Sequence, residues 1–96
     1  MRRDDIMAIL SRHQKEIRAL GVKSLALFGS AARNEAGPES DVDLLVEFDR
    51  PMGLFGLLDI KYRLEEILDS KVDLVTRSGV HLALRDRIFA EAINVL

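Results

Sequence analysis

The sequence predicts an α/β domain around a small sheet, because segments of helical periodicity alternate with short apolar segments along the whole chain. Apolar residues recur every three to four positions in the longer segments, as on one face of a helix. Short runs rich in Val and Leu lie between them. Gly or Pro stands at most junctions. The predicted order is α-β-α-β-α-β-α, one small domain over residues 1–96 with a sheet of three to four strands flanked by four helices.

Apolar periodicity and glycine stop signals define the first half of the chain. Ile6, Leu10 and further apolar residues recur at helical spacing until Gly21, which ends the predicted helix. His13 falls on the same apolar stripe and is expected to be a core or boundary residue. The predicted elements are a helix over about residues 4–20, a strand over 24–28, a helical turn over 30–33 and a surface loop over 34–40.

The second half repeats the alternation of strand and helix. Its predicted elements are a strand over 42–48, a helix over about residues 52–69, a strand over 72–76 and a helix over about residues 80–94. Gly53 and Gly56 weaken the first turns of the middle helix, so we expect it to start late. Any fourth short strand is expected within residues 48–53 or near Ser78.

Composition and charge describe an ordinary globular protein, with 48% hydrophobic and 31% charged residues. The formal net charge of -2 argues against a broad grip on nucleic acid, because binding to the phosphate backbone needs clustered Lys and Arg. The absence of cysteine excludes disulfides, thiolate metal sites and Cys nucleophiles. No long apolar run follows the N-terminus, so we expect a cytoplasmic protein without a membrane span.

The acidic pair Asp41 and Asp43 is the most informative local pattern. Residues two apart on a strand share a face, so both carboxylates are expected opposite Val42 and Leu44. Two such carboxylates repel each other when alone but can converge on a divalent ion. Mg²⁺ is usually held by one or two carboxylates together with substrate phosphates. The alternative is the solvated face of a half-exposed strand, since a pair of this kind is common.

Gly29 and Ser30 follow a predicted strand and begin a helical turn. Such a turn presents backbone N–H groups, a hydroxyl and the positive end of a helix dipole, which suit the phosphates of a nucleoside triphosphate. Glycine also lets a phosphate approach the backbone closely, because it has no Cβ. The alternative is an ordinary N-cap serine after a turn glycine.

Asp73 interrupts an otherwise apolar predicted strand. Val72 and Leu74 would face the core, which leaves Asp73 on the opposite face, solvated or bound to a ligand. If this strand neighbours that of Asp41 and Asp43, three carboxylates gather on one surface, an arrangement suited to two metal ions. The alternative is an aspartate on an edge strand.

Together these stretches resemble the DNA polymerase beta nucleotidyltransferase superfamily, and its minimal nucleotidyltransferase branch most. The resemblance rests on residues 27–33 (LFGSAAR), 40–46 (SDVDLLV), 71–75 (KVDLV) and 84–88 (LRDRI). It implies the mixed sheet of the nucleotidyltransferase fold and two Mg²⁺ ions with ATP as substrate. Asp41, Asp43 and Asp73 would then be the metal ligands and catalytic carboxylates. Gly29 and Ser30 would hold the triphosphate.

Arg33 matches the arginine that the family carries three residues after the serine. Two roles are open for it: a contact to the bound phosphates, or an ion pair with the region of Asp41. The family usually has Gly next, where this chain has Asn34. Because Asn tolerates the left-handed backbone conformation better than most residues, we expect the end of the helical turn to keep its shape.

The acceptor is expected to come from another molecule, since the sequence stops at Leu96, directly after the last predicted helix. Minimal nucleotidyltransferases of this size resemble antitoxins of HEPN ribonuclease toxins, which they silence by transferring AMP to a tyrosine. The resemblance thus implies a HEPN-type partner and Mg²⁺-dependent AMP transfer from ATP. Two alternatives remain. One is a non-catalytic binding module, and the other is a nucleotidyltransferase that works as a homo-oligomer on a small-molecule hydroxyl.

Two apolar stretches suggest a docking surface. Residues 92–96 are apolar almost to their end, and residues 52–58 hold more apolar side chains than one helix face can bury. Packing against the core of the same chain is the favoured interpretation of both.

Overall fold

The computed structural model describes residues 2–35, 37, 41–79 and 82–96. Its elements are α1 Arg3–Arg12, α2 Gln14–Ala19, β1 Val22–Phe28, α3 Gly29–Ala32, β2 Val42–Phe48, α4 Leu54–Leu68, β3 Val72–Thr76, a 3-10 turn Arg77–Gly79, α5 Leu82–Glu91 and β4 Ile93–Asn94. None of the helices described is long and apolar enough to cross a membrane. The predicted bounds of β2 and β3 are confirmed, and α4 starts late, after Gly53 as its N-cap.

The strands form one mixed sheet in the order β3-β2-β1-β4. β1 pairs antiparallel with β2 and β4, whereas β2 pairs parallel with β3. The connection between the parallel strands runs through α4, as expected for a crossover between parallel neighbours. The predicted small α/β domain with a mixed sheet is therefore confirmed.

The first predicted helix is two helices, because the backbone departs from helical geometry at His13 (φ -103, ψ 15). The His13 N–H donates to the carbonyl of Leu10 at 3.1 Å, a tightened final turn, and its Nδ1 lies 2.9 Å from the carbonyl oxygen of Ile9. Ile17 on the second helix still joins the core reached by Leu10 on the first. The prediction of a continuous helix over residues 4–20 was wrong, although its buried face was correctly placed.

The fourth strand lies at the end of the chain, so its prediction within residues 48–53 or near Ser78 was wrong. The last helix stops at Glu91, and β4 then pairs with β1, Ala26 standing opposite Asn94. The Val95 N–H donates to the carbonyl of Leu25 at 2.8 Å. This short strand pairs with the backbone groups on the edge of β1 that does not face β2. Val80, the predicted start of the last helix, lies outside the described residues.

Two apolar clusters lie on opposite faces of the sheet. The larger one contains side chains from α1, α2, α4 and alternate residues of the strands, among them Ile6, Leu10, Ile17, Leu25, Leu27, Leu44, Val46, Ile60, Leu64 and Leu68. The smaller one joins Ala26, Phe28 and Leu45 to Ile88 and Phe89 of α5 and to Ala92, which follows α5. Among the described side chains, those that pack on the second face cover an apolar half of it and leave the half at Asp43 and Asp73 open. The candidate site occupies the open half.

Candidate active site

Asp43 and Asp73 stand opposite each other across the parallel strands β2 and β3. Neighbouring strands lie about 4.8 Å apart, so the two backbones bring these carboxylates into one cluster. Val42 and Val72, the pair before them, are buried on the other face. The prediction that these aspartates lie opposite the buried valines is confirmed, and the condition that their strands be neighbours is met.

Asp41 completes the acidic group at the start of β2. It is exposed and directly precedes the strand, whose first N–H, from Val42, donates to the carbonyl of Lys71 at 2.9 Å. Its neighbour in the sequence motif, Ser40, lies outside the described residues. The face that Asp43 shares with Leu45 is not simply a solvated strand face, because Leu45 is buried beneath α5. The carboxylates therefore stand at the edge of an apolar surface.

Burial raises the pKa of the Asp43 carboxyl, and the negative charges of Asp73 and then Asp41 raise it further. The positive charge of Arg33 opposes these effects. A carboxylate that is desolvated and faces two like charges is stabilised by a cation, which is the electrostatic state expected of a metal ligand. Arg33 supplies part of that positive charge.

Gly29 makes room for Asp43. The glycine has a φ of +75, and a Cβ built on it would overlap Asp43 Oδ2 and lie 3.0 Å from its Cγ. Phe28, the residue before the glycine, pairs with Asp43 across β1 and β2. The close approach therefore places the carboxylate directly beside the turn that begins α3. Glycine is required here both by the left-handed backbone and by the space.

Ser30 lies in the first turn of α3, which comprises only four residues. Because a helix this short has only a small macrodipole, an anion would be bound by its individual N–H and hydroxyl groups. The first N–H groups of a helix have no partner within it, and Ser30 adds a hydroxyl. Asn34 ends the turn with φ 60, which confirms the left-handed conformation expected from the sequence.

Arg33 makes two ion pairs across the open half of the sheet. Its Nε lies 3.2 Å from Glu35 Oε2, and its Nη1 lies 2.9 Å from Glu91 Oε2. The described ion pairs of Arg33 are therefore with these glutamates, whereas the sequence suggested one with the region of Asp41. No local pattern signalled Glu91, which is 58 residues from Arg33.

The donor set suits Mg²⁺, which takes oxygen ligands and keeps several waters. Asp41, Asp43 and Asp73 supply hard oxygen donors of the same charge, and Gly29 leaves the space that one of them needs. Within the described ranges, no three His, Cys, Asp or Glu side chains lie close enough together to hold a metal ion by themselves. The aspartates are neighbours with open positions, so phosphates and water would complete any coordination.

A separate surface cavity of about 390 Å³ lies at the other end of β2 and β3. Its lining residues are Val46, Glu47, Phe48, Arg50, Pro51, Met52, Thr76 and Arg77. None of the six residues predicted for the site lines it. The carboxylates of the candidate site therefore belong to the opposite end of the parallel pair.

The two apolar stretches singled out in the sequence behave differently. Ile93, Val95 and Leu96 pack against the larger cluster, as the favoured interpretation required. Leu54 and Phe55, at the start of α4, are 67% and 82% exposed. Local packing therefore accounts for the end of the chain but not for these two side chains, for which docking on a partner stays a prediction.

Known sequences match this chain over most of its length. The model of the nucleotidyltransferase domain matches residues 10–95. A relative from Methanocaldococcus jannaschii, classed as a protein adenylyltransferase, is 45% identical over 91 residues, 95% of this chain and 90% of its own length. The protein adenylyltransferase MntA of Thermococcus cleftensis is 36% identical over 93 residues, covering 96% and 94% of the two chains.

Solved structures share the fold. A minimal nucleotidyltransferase superposes with a TM-score of 0.83 at 33% identity, over 97% of this chain and 95% of that one. A toxin-antitoxin structure with AMP-PNP gives 0.72 at 20% identity, over 100% and 73%. A complex of tri-AMPylated Shewanella oneidensis HEPN toxin with its MNT antitoxin gives 0.68 at 18%, over 94% and 71%. The last two likenesses bear on the fold alone.

Proposed function

The chain belongs to the nucleotidyltransferase domain family, and from that premise we propose that it transfers AMP from ATP to a hydroxyl of a partner protein. The observation that carries this proposal is the register of β2 and β3, which sets Asp43 opposite Asp73 beside Gly29. Catalysis by positioning and charge neutralisation requires such a carboxylate group next to a place for phosphates. The domain is taken to comprise residues 1–96 and to act in the cytoplasm.

The names of the relatives support a protein as the acceptor. The two sequence relatives described above are classed as protein adenylyltransferases, and each is more than one-third identical to this chain. Two structural neighbours are toxin-antitoxin assemblies, one of which holds an AMPylated HEPN toxin. We therefore assign a HEPN-type toxin as the partner and one of its tyrosines as the acceptor.

Three residues would bind the nucleotide. The N–H groups that begin α3 and the Ser30 hydroxyl would donate to phosphate oxygens, with Gly29 allowing close approach. Arg33 ends the same turn, and its guanidinium would contact the phosphates as well. The triphosphate would thus lie across α3, with its α-phosphorus toward Asp43.

Asp41, Asp43 and Asp73 would hold Mg²⁺, two ions in the full assembly, which would neutralise phosphate charge and polarise the acceptor oxygen. The tyrosine oxygen attacks the α-phosphorus and forms the new P–O bond. The bond from that phosphorus to the bridging oxygen of the β-phosphate breaks, and pyrophosphate leaves. Asp73, the exposed member of the pair, accepts the tyrosine proton.

The test is label transfer to the product of the gene next to the one that encodes this chain, which we expect to be a HEPN-type protein. The purified protein, Mg²⁺ and that partner are incubated with ATP labelled on the α-phosphate, and in parallel with ATP labelled on the γ-phosphate. Transfer of AMP moves only the α-label, whereas phosphorylation would move only the γ-label. Mass spectrometry of the partner then locates the modified tyrosine.

Asp59→Asn is the matched control for Asp41→Asn and Asp43→Asn, because Asp59 is an exposed aspartate on α4, in the layer on the other face of the sheet. We expect the two site variants to lose transfer and the control to keep it. Absence of α-label on the partner, or transfer that survives both site substitutions together, would overturn the proposal.

A further inference from the structure

Glu91 reaches Arg33 from the far end of the chain. Glu91 is the last residue of α5, and its Oε2 accepts from Arg33 Nη1 at 2.9 Å. Its other oxygen, Oε1, accepts from Arg87 Nε at 3.4 Å, one helical turn earlier. Both carboxylate oxygens are therefore used, and Arg87 directs the side chain of Glu91 toward Arg33.

The position of Glu91 is unfavourable for an acidic residue considered alone. The end of a helix carries partial negative charge from its unpaired carbonyls, so a carboxylate is destabilised there. The two arginines offset that repulsion. The Glu91 side chain is also mostly covered, with 23% exposed. The ion pairs with Arg33 and Arg87 therefore compensate for an otherwise unfavourable position.

Of the two carboxylates that touch Arg33, Glu91 is the fixed one. Glu35 follows Arg33 by two residues in a surface loop, and its side chain is 65% exposed. Glu91 ends α5 and stands between Ile88 and Ala92 in the sequence. Both of these residues pack on the sheet against the cluster of Phe28 and Leu45. The α5 helix can therefore hold the guanidinium at a defined point relative to β1 and β2, which the loop cannot.

We propose that Glu91 is a positioning residue that holds the Arg33 guanidinium at the nucleotide-binding end of the sheet. This inference rests on the proposed function, in which Arg33 contacts phosphate. The contacts to Glu35 and Glu91 use Nε and Nη1, so neither uses Nη2. With Nε and Nη1 held by carboxylates, Nη2 would be the nitrogen that donates to a phosphate oxygen.

The substitution Glu91→Gln tests this role. Glutamine keeps the shape and one acceptor oxygen but removes the charge that orders Arg33. We expect a rise of about two- to fivefold in the Kd for α,β-methylene ATP and in the KM for ATP, with kcat nearly unchanged, the range expected when one exposed ion pair is lost. Glu91→Asp, which keeps the charge on a shorter stem, is expected to recover part of the affinity.

A double-mutant cycle identifies the path of the effect. Arg33→Gln is expected to weaken nucleotide binding by about ten- to a hundredfold, as for loss of a hydrogen bond to a charged group. If Glu91 acts through Arg33, adding Glu91→Gln to Arg33→Gln changes the Kd no further. Glu66→Gln is the matched control, because Glu66 pairs with Arg63 on α4, away from the site.

Each outcome is decisive. If Glu91→Gln raises the Kd by the same factor in the unsubstituted protein and in Arg33→Gln, or does not change the Kd at all, Glu91 does not position Arg33. Neither result would contradict the transfer of AMP. A normal Kd in Arg33→Gln overturns the phosphate contact itself. Loss of AMP transfer in the unsubstituted protein overturns the proposed function instead. Thermal unfolding of every variant separates a loss of fold from a loss of affinity.

Discussion

Asp43 and Asp73 occupy matching positions on parallel strands, and the partial burial of Asp43 makes their shared charge unfavourable for the folded protein. The arrangement therefore lowers the stability of the folded protein. Functional sites often keep such groups, because the unfavourable charge is relieved when a ligand of opposite charge binds.

Asp43→Asn is expected to raise the thermal midpoint of the metal-free protein at neutral pH. The amide has nearly the same shape and removes a charge that burial, Asp73 and Asp41 all disfavour. Added Mg²⁺ should stabilise the unsubstituted protein, by about 2.7 kcal/mol at a hundred times its Kd, and should stabilise Asp43→Asn far less. Scanning calorimetry with and without Mg²⁺ measures both. A lower midpoint in the variant would show that the carboxylate makes a favourable contact instead.

The difference in the free energy of unfolding between Asp43→Asn and the unsubstituted protein should depend on pH. Because the pKa of Asp43 is raised above its ordinary value of 3.8, the folded protein holds this proton more tightly than the unfolded chain does. The contribution of Asp43 to the free energy of unfolding therefore falls as pH rises from the ordinary value through the raised one. Above that window it stays constant.

Urea unfolding of both proteins across the acid range isolates this contribution. Other carboxyls, such as that of Glu16, whose pKa is lowered by its hydrogen bond with Arg63, contribute with the opposite sign in both proteins and cancel in the difference. The advantage of Asp43→Asn should grow with pH and then level off. A difference that is the same at every pH would contradict the raised pKa.

Gly29→Ala is expected to abolish most activity by displacing Asp43. The new Cβ would overlap the Asp43 carboxylate, and the positive φ adds strain for any side chain. A displacement on the order of 1 Å at a catalytic group can cost about a hundredfold in rate. The matched control is Gly53→Ala, since Gly53 has an ordinary φ of -79 and open space around it. Equal AMP transfer by the two variants would contradict this role of Gly29.

Local patterns were sufficient to predict which way the aspartates face, whereas their clustering depended on β2 and β3 being neighbours, which the sequence left open. Alternation along a strand puts Asp43 and Asp73 opposite the buried Val42 and Val72, whatever the order of the strands. The left-handed residue Asn34 was likewise predictable, because few residues tolerate that conformation. The comparisons then confirmed the family suggested by these motifs.

Features set by distant partners could not be predicted from the sequence. β4 forms because β1 has an open edge, not because Ile93 and Asn94 alone favour a strand. The pairing of Arg33 with Glu91 depends on where α5 lies on the sheet. The interruption at His13 is local instead: its ring Nδ1 lies 2.9 Å from the carbonyl oxygen of Ile9, a contact that apolar periodicity does not report.

Leu64 and Phe55, both on α4, should differ sharply in their contribution to stability. Leu64 is fully buried in the larger cluster, so Leu64→Ala leaves a cavity and should lower the free energy of unfolding by about 2–5 kcal/mol. Phe55 is 82% exposed, so Phe55→Ala should change it by no more than about 0.5 kcal/mol. Urea unfolding measures both values, provided that the slope with urea concentration is unchanged. A large loss in Phe55→Ala would mean that its ring is covered in solution, by this chain or by another copy.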